Sequence, residues 1–395
     1  MIVLTGGDIV LPDRILTNGT LFIDGSRIAA IETPRAAPAG ASTIDVHDSY
    51  IVPGFIDVHV HGVEGHDTLD GAGVIASIAS RLPRYGVTAF CPTTVACAPA
   101  DLENVLSQVG RARTEPLRGA RVLPAHLESN FINPEYKGAQ PAACLRRPTD
   151  ERPDGAFSGR EILGVIEQRE ADVGIITVAP ELPGVLDLIP RLVRAGHRVS
   201  LGHSGADFDQ AIAAIDAGAR HATHLFNRMT PLAHRTPGLA GAILSRDDVA
   251  AELICDGYHV HPAMSCMAMN AKGVHGVMAI TDGTAGSGLP PGSTARLGGR
   301  SIRVSDAAAV LDDGTLAGST LTMDRAFRNI VTLFDASITD AAIMCATTPA
   351  RALGLTGFGV IAEGNVADLV VLDRGFGVAR TFVAGEEIFR RGTSL

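Results

Sequence analysis

Two histidines separated by one residue, His59 and His61, close an apolar run that begins at residue 51. On a β-strand, residues two apart face the same way, so both imidazoles converge on one side of the chain. Four further apolar runs end in the same kind of group: His126-Leu-Glu128, Gly202-His203-Ser204, Thr223-His224 and Thr281-Asp282-Gly283. Taken singly, a histidine of this sort suits a hydrogen-bonded core position, and an aspartate before glycine suits a turn or helix cap. Together they are the donor set of a divalent transition metal, since imidazole nitrogen and carboxylate oxygen suit zinc, iron and manganese alike.

Position along the chain divides the set. His203 and His224 end consecutive strands and can share one ion with Glu128. His59, His61 and Asp282 come from the first and last strands, neighbours in a closed barrel, and can hold a second ion with Glu128 as bridge. One filled position beside a partly vacant second is the alternative arrangement. Lys137 and Lys272 are the only lysines, and only Lys137 lies near a strand end, so a carbamylated lysine is not expected to bridge. A metal brings the pKa of bound water down toward about 7 and polarises a carbonyl. Asp282, alone at the last strand end, is the candidate general base and acid. There is no Gly-rich nucleotide loop and no Cys/His arrangement of the nucleophilic kind, so hydrolysis is the reaction class favoured.

These residues need a scaffold that gathers many strand ends at one rim. Eight apolar or β-branched runs recur, at residues 51–59, 87–93, 121–128, 174–179, 197–203, 221–225, 250–255 and 277–281. Segments of helical composition, such as 73–81, 159–170, 206–217 and 262–271, lie between them, and further helices are expected at 323–334 and 339–346. Eightfold strand-helix alternation predicts a closed (β/α)8 TIM-like barrel, whose active site lies at the carboxyl ends of the strands. Both termini read differently, as short strands with the turn dipeptides Asn18-Gly19 and Asp24-Gly25. The expectation is an α/β chain in which residues 51–354 form the barrel, while residues 1–50 and 355–395 build one small β-sandwich domain.

The 395 residues are 46% hydrophobic and 19% charged, which permits a large core and argues against disorder. A net charge of −10 argues against a general nucleic-acid surface. No apolar stretch approaches the roughly 20 residues of a membrane span, and the six cysteines show no CxxC pairing. A cytoplasmic protein with reduced thiols is expected.

The chain also resembles the amidohydrolase superfamily, and within it the N-acetylglucosamine-6-phosphate deacetylases. The segments that carry this resemblance are Val52-Pro-Gly-Phe-Ile-Asp-Val-His-Val-His-Gly62, His126-Leu-Glu128, Lys137-Gly-Ala139, Gly202-His-Ser204, Thr223-His-Leu-Phe-Asn227, Pro237-Gly-Leu-Ala-Gly241, Asp256-Gly-Tyr-His259 and Leu316-Ala-Gly-Ser-Thr-Leu-Thr-Met323. The resemblance implies removal of acetate from the 2-amino group of a phosphorylated sugar. It implies Glu128, His203 and His224 as principal metal ligands, with His59 and His61 optional, and Asp282 as acid/base. Zinc is the first expectation for the metal. Substrate contacts are implied at Ala139, Gln140, Asn227, Arg228, His259, Leu316, Ala317 and Gly318. Arg235 corresponds to a phosphate-binding arginine lent across a homodimer interface, and the cluster Arg228, His234, Arg235, His259 and His261 suits a dianionic phosphate. Departures from the family pattern are Ser129-Asn130 for Gly-Pro, Gln140 for a histidine over the substrate, and Arg228 for alanine. They leave room for an epimeric amino-sugar phosphate such as the galactosamine form, and the alternative from another class is a catalytically silent barrel of the same fold kept for binding.

Overall fold

The computed structural model describes residues 1–33, 38–150, 156–305 and 308–392. Eight parallel strands form the barrel: β1 (Phe55–Val60), β2 (Val87–Thr94), β3 (Ala125–Leu127), β4 (Val173–Val178), β5 (Arg198–Leu201), β6 (His221–Ala222), β7 (Ala250–Ile254) and β8 (Val277–Ile280). Each pairs with the next in chain order. The ring closes through a parallel bridge between Val60 and Gly283, and Asp282 N–H donates to the His59 carbonyl at 2.9 Å. The contact that closes the barrel therefore also joins two residues expected in the metal site. Every residue of β1 and β2 is buried, as expected where helices cover the outer face of a parallel sheet.

The apolar run at 51–59 is one stretch in sequence but two elements in space. Ser49–Pro53 pairs antiparallel with Leu369–Asp373, and only after Gly54 does the chain enter the barrel. A Cβ at Gly54 would stand 2.2 Å from Thr88 Oγ1, so any side chain there would collide with that of Thr88. The terminal segments make one continuous eight-stranded sheet from Ile2–Val10, Ile15–Asp24, Arg27–Glu32, Ser42–Asp45, Ser49–Pro53, Leu369–Asp373, Val378–Val383 and Glu386–Arg390. It has its own core around Leu4, Ile23, Ile51, Leu369 and Phe382.

Helix starts follow local signals. Ser158 and Glu161 form a reciprocal capping box on Gly159–Gln168, and Asp207 with Gln210 does the same on Phe208–Asp216. Each such cap is worth about 1 kcal/mol. The helix expected at 339–346 begins at Ile338, passes through a wide π-type turn at Ile343–Thr347 and continues to Leu353. After β8 the chain forms a three-stranded sheet, Thr294–Leu297, Arg300–Val304 and Ala309–Val310, which is not among the elements expected from the sequence. Its apolar face packs on Val95, Ala285 and Ala317, which places Leu297 at the barrel mouth. All six cysteines are unpaired, with Cys91 and Cys255 in the barrel core. Among the described residues no helix is long and apolar enough to cross a membrane.

Candidate metal centre and its pocket

Glu128 follows β3 directly, and His203 and His224 each lie two residues beyond the ends of β5 and β6. Glu128 Oε1 is 2.8 Å from His203 Nε2 and 2.9 Å from His224 Nε2, and the two imidazole nitrogens are 3.0 Å apart. His59, His61 and Asp282 form a second, looser group. Asp282 Oδ1 is 3.4 Å from His59 Nε2 and 3.3 Å from His61 Nε2, with 3.2 Å between the rings' Nε2 atoms. Glu128 also reaches this group, since its Oε2 lies 3.5 Å from His61 Nε2. Both sets have ligand atoms close enough together to surround an ion. Electron-pair donors that face one another across such distances, with four imidazoles to two carboxylates, fit a divalent cation. Neither lysine bridges: Lys137 Nζ turns to the Gly138 carbonyl and Lys272 Nζ to that of Ile243.

The backbone under these ligands is unusual. His203, His224 and Asp282 have φ of 48°, 30° and 48°, in the left-handed region that side chains other than glycine rarely adopt. Surrounding bonds hold this strain. His203 Nδ1 lies 2.8 Å from the Tyr136 carbonyl, and its own carbonyl accepts from Asn133 N–H. Glu181 ties the same corner by accepting from Asn133 Nδ2, Ser204 Oγ and Gly205 N–H.

Burial and charge act against each other at His59, His61, His224, Glu128 and Asp282. Burial, aided by the charges of His61 and His224, pulls the His59 imidazole down to about 4 against the opposing pull of Asp282 and Glu128. Burial also disfavours charge on His61 and His224, but hydrogen bonds to Asp282 and Glu128 carry His61 up to about 10, and Glu128 carries His224 up to about 9. Burial would raise Glu128 and Asp282, yet the charge of His203 on the first and of His59 and His61 on the second holds both below the usual carboxylate range. The field that retains protons on His61 and His224 is the field that retains a metal ion in their place.

Sequence reasoning missed Glu252. It stands in the middle of β7 with no exposure, its Oε2 2.8 Å from His59 Nδ1 and 3.2 Å from the His224 backbone nitrogen, which donates to it. The signal was present: it is the one acidic residue inside an otherwise apolar strand. Asp57 is a second buried carboxylate below the site and accepts from Thr281 Oγ1 at 2.6 Å. His126, expected near the ligands, bonds the Val58 carbonyl and Thr177 Oγ1 and so supports the wall behind His59.

Above the ligands lies a cavity of about 430 Å³. Of the expected substrate contacts, Ala139, Gln140, Asn227, Arg228, His259, Leu316 and Gly318 line it. Ala317 does not: it is fully buried against the post-β8 sheet, its N–H bonded to the Ala309 carbonyl. Arg235, His234 and His261 are exposed and outside the lining. His259 is held through Nδ1 at 2.6 Å from Asp256 Oδ2, which leaves its Nε2 unpartnered at the cavity. Two of the departures from the family pattern turn inward: Ser129 Oγ donates to the Thr177 carbonyl, and Asn130 Nδ2 to those of Cys97 and Cys144. Gln140 and Arg228, the other two departures, meet the cavity. Gln140 accepts from Ala96 N–H through Oε1 and donates to Glu128 Oε2 through Nε2.

Comparison with known proteins agrees with this geometry. Residues 192–388 match the Amidohydrolase family. The N-acetylglucosamine-6-phosphate deacetylase of Bacillus subtilis is 35% identical over 387 residues, covering 96% of this chain and 95% of that protein. The N-acetylgalactosamine-6-phosphate deacetylase of Escherichia coli O157:H7 is also 35% identical, covering 94% and 95%. Among solved structures, the N-acetylglucosamine-6-phosphate deacetylase of Thermotoga maritima superposes with a TM-score of 0.86 at 33% identity, covering 98% of this chain and 99% of its own. A mutant Mycobacterium smegmatis N-acetyl-D-glucosamine-6-phosphate deacetylase, in complex with N-acetyl-D-glucosamine-6-phosphate, gives 0.87 at 34% identity with the same coverage. This chain is therefore a hydrolase of the amidohydrolase family and belongs with its N-acetylglucosamine-6-phosphate deacetylases.

Proposed function

We propose that the enzyme hydrolyses the acetamide of N-acetyl-D-glucosamine 6-phosphate, giving D-glucosamine 6-phosphate and acetate. The observation that carries this reading is the convergence of Glu128, His203, His224, His59, His61 and Asp282 at the floor of one cavity in a chain whose full-length relatives are deacetylases. These residues would hold a divalent ion, zinc in the first instance with iron or manganese suited to the same donors, and such an ion would supply polarisation of the amide carbonyl and a more acidic water. Glu128, His203 and His224 supply the tighter position. His59, His61 and Asp282 supply a second, with Glu128 between them.

Asp282 does the proton work. Held ionised by its imidazole neighbours, it accepts a proton from the attacking water as the oxygen bonds to the amide carbon. It returns that proton to the sugar nitrogen as the C–N bond breaks, so that amine and acetate leave. Unpartnered His259 Nε2, Asn227 and the Arg228 guanidinium face the sugar and phosphate. Arg235, exposed beyond the cavity, reaches the phosphate of a neighbouring site in a homodimer. We place the reaction in the cytoplasm.

A second reading is favoured by one observation: the galactosamine-phosphate deacetylase matches as well as the glucosamine-phosphate enzyme. Amine release is therefore to be measured from both epimers and from unphosphorylated N-acetylglucosamine. The glucosamine phosphate is expected to react fastest, and the unphosphorylated sugar at least about tenfold more slowly, since a charge-assisted contact contributes about 1.5–3 kcal/mol. Faster turnover of the galactosamine epimer would replace the leading reading with the second, and no release from either phosphosugar would end both.

A further inference from the structure

We propose that Glu252 is a positioning residue for the metal centre, fixing His59 as an Nε2 donor and holding the His224 backbone in place. The inference rests on the metal-dependent, two-position reading above. Glu252 rides on a strand that otherwise offers only Ala250, Ala251, Leu253 and Ile254, and it is fully buried. A carboxylate so placed is strongly disfavoured unless it is hydrogen-bonded. Its partners both belong to the site. A single oxygen, Oε2, lies 2.8 Å from His59 Nδ1 and accepts from the His224 N–H at 3.2 Å. One atom on β7 thus touches the looser group through β1 and the tighter group through β6.

The consequence for His59 is chemical. A neutral imidazole carries one proton, and an acceptor at Nδ1 keeps that proton there and leaves the Nε2 lone pair free. That Nε2 is the atom facing His61 and Asp282, 3.2 and 3.4 Å away. Without the acceptor the ring is free to take the other tautomer, which points an N–H at the place of the ion. The consequence for His224 is conformational, because its φ of 30° is maintained in part by the bond its N–H makes to Glu252. The second oxygen of Glu252, Oε1, has no hydrogen-bond partner. It lies 3.7 Å from His126 Nδ1, which is engaged with the Val58 carbonyl. Glutamine is therefore the conservative replacement: its amide oxygen takes the position of Oε2, and its NH2 takes the position that bonds nothing. Leucine removes the acceptor.

The test strips wild type, Glu252→Gln, Glu252→Leu, His59→Asn and the His59→Asn/Glu252→Leu double variant of metal and titrates each with Zn²⁺. Heat and bound-ion content are read, with circular dichroism to check folding. Wild type is expected to bind two ions. Glu252→Leu should weaken the position that His59 serves by roughly 10–100-fold and the position that His224 serves, where only a backbone bond is lost, by a few-fold. Glu252→Gln should keep both within about tenfold, and adding Glu252→Leu to His59→Asn should cost the first position nothing more. Wild-type binding of both ions by Glu252→Leu overturns the proposal, as does Glu252→Gln binding as weakly as Glu252→Leu. A wild type that binds at most one ion, unchanged by His59→Asn, instead overturns the two-position reading itself. If Glu252→Leu does not fold, ¹⁵N-histidine NMR of zinc-loaded wild type decides. A protonated Nδ1 and metal-bound Nε2 on His59 are expected, and the reverse tautomer overturns the proposal.

Discussion

The two halves of the metal centre are built differently. Around Glu128 Oε1, His203 and His224 close to within 3.0 Å on the ends of adjacent strands, each in a strained backbone conformation. Around Asp282 Oδ1, His59 on β1 and His61 one residue past its end stand more than 3.2 Å away, neither in the left-handed region, and only Asp282 in this half has that backbone. The tighter half derives its geometry from the loops beyond its strands, held by Tyr136, Asn133 and Glu181. The looser half derives it from strand periodicity and from groups beneath it, Glu252 and the Asp57–Thr281 pair. A ligand pair that any strand can present is easily legible and easily dispensed with. A ligand pair that needs strained loops is harder to read and harder to replace.

That contrast can be broken at its shared atom. Glu128→Ala removes the one carboxylate common to both halves and leaves four buried imidazoles facing each other. Metal affinity is expected to fall by more than the roughly 100-fold that marks the loss of an outer hydrogen-bond partner, with activity below detection. Ion content after gel filtration checks it, and full retention of metal would mean the halves hold ions independently.

Asp282→Asn separates proton transfer from binding. The amide keeps the shape of the side chain and the bonds of its backbone but does not accept the water proton. Turnover should fall by about 10²–10⁴-fold, while the ion at the Glu128 position stays bound. Steady-state kinetics with elemental analysis read both, and near-normal kcat would place the base elsewhere.

The smallest effect is expected where the tighter half meets the cavity. Gln140→Leu removes the donor to Glu128 Oε2 and the acceptor for Ala96 N–H. A net hydrogen-bond contribution of about 1 kcal/mol corresponds to a several-fold loss in kcat/KM. Gln140→His should shift the preference between the two sugar epimers by a similar factor, since no other departure from the family pattern in that segment faces the substrate.

Much of this molecule is determined by local pattern. The spacing of His59 and His61 alone places two imidazoles on one face, because a strand repeats every two residues. The alternation of apolar runs with helical segments determines a parallel sheet, because parallel strands need helical crossovers, while its closure into a barrel is the tertiary bridge between Val60 and Gly283. The capping pairs Ser158–Glu161 and Asp207–Gln210 determine where two helices begin. The tertiary structure alone decided the rest, in each case because the deciding contact joins residues far apart in sequence. Residues 51–59 divide between two sheets because Gly54 meets Thr88 and because Ser49–Pro53 finds its partner more than three hundred residues later. Ser129 and Asn130 turn inward because backbone carbonyls of Thr177, Cys97 and Cys144 wait there. Ala317 falls short of the cavity because a sheet that no local pattern announced packs over it. Glu252 looked like an isolated acid in an apolar strand. Its meaning lies in the 193 residues that separate it from His59, a distance that only the closed barrel brings down to a hydrogen bond.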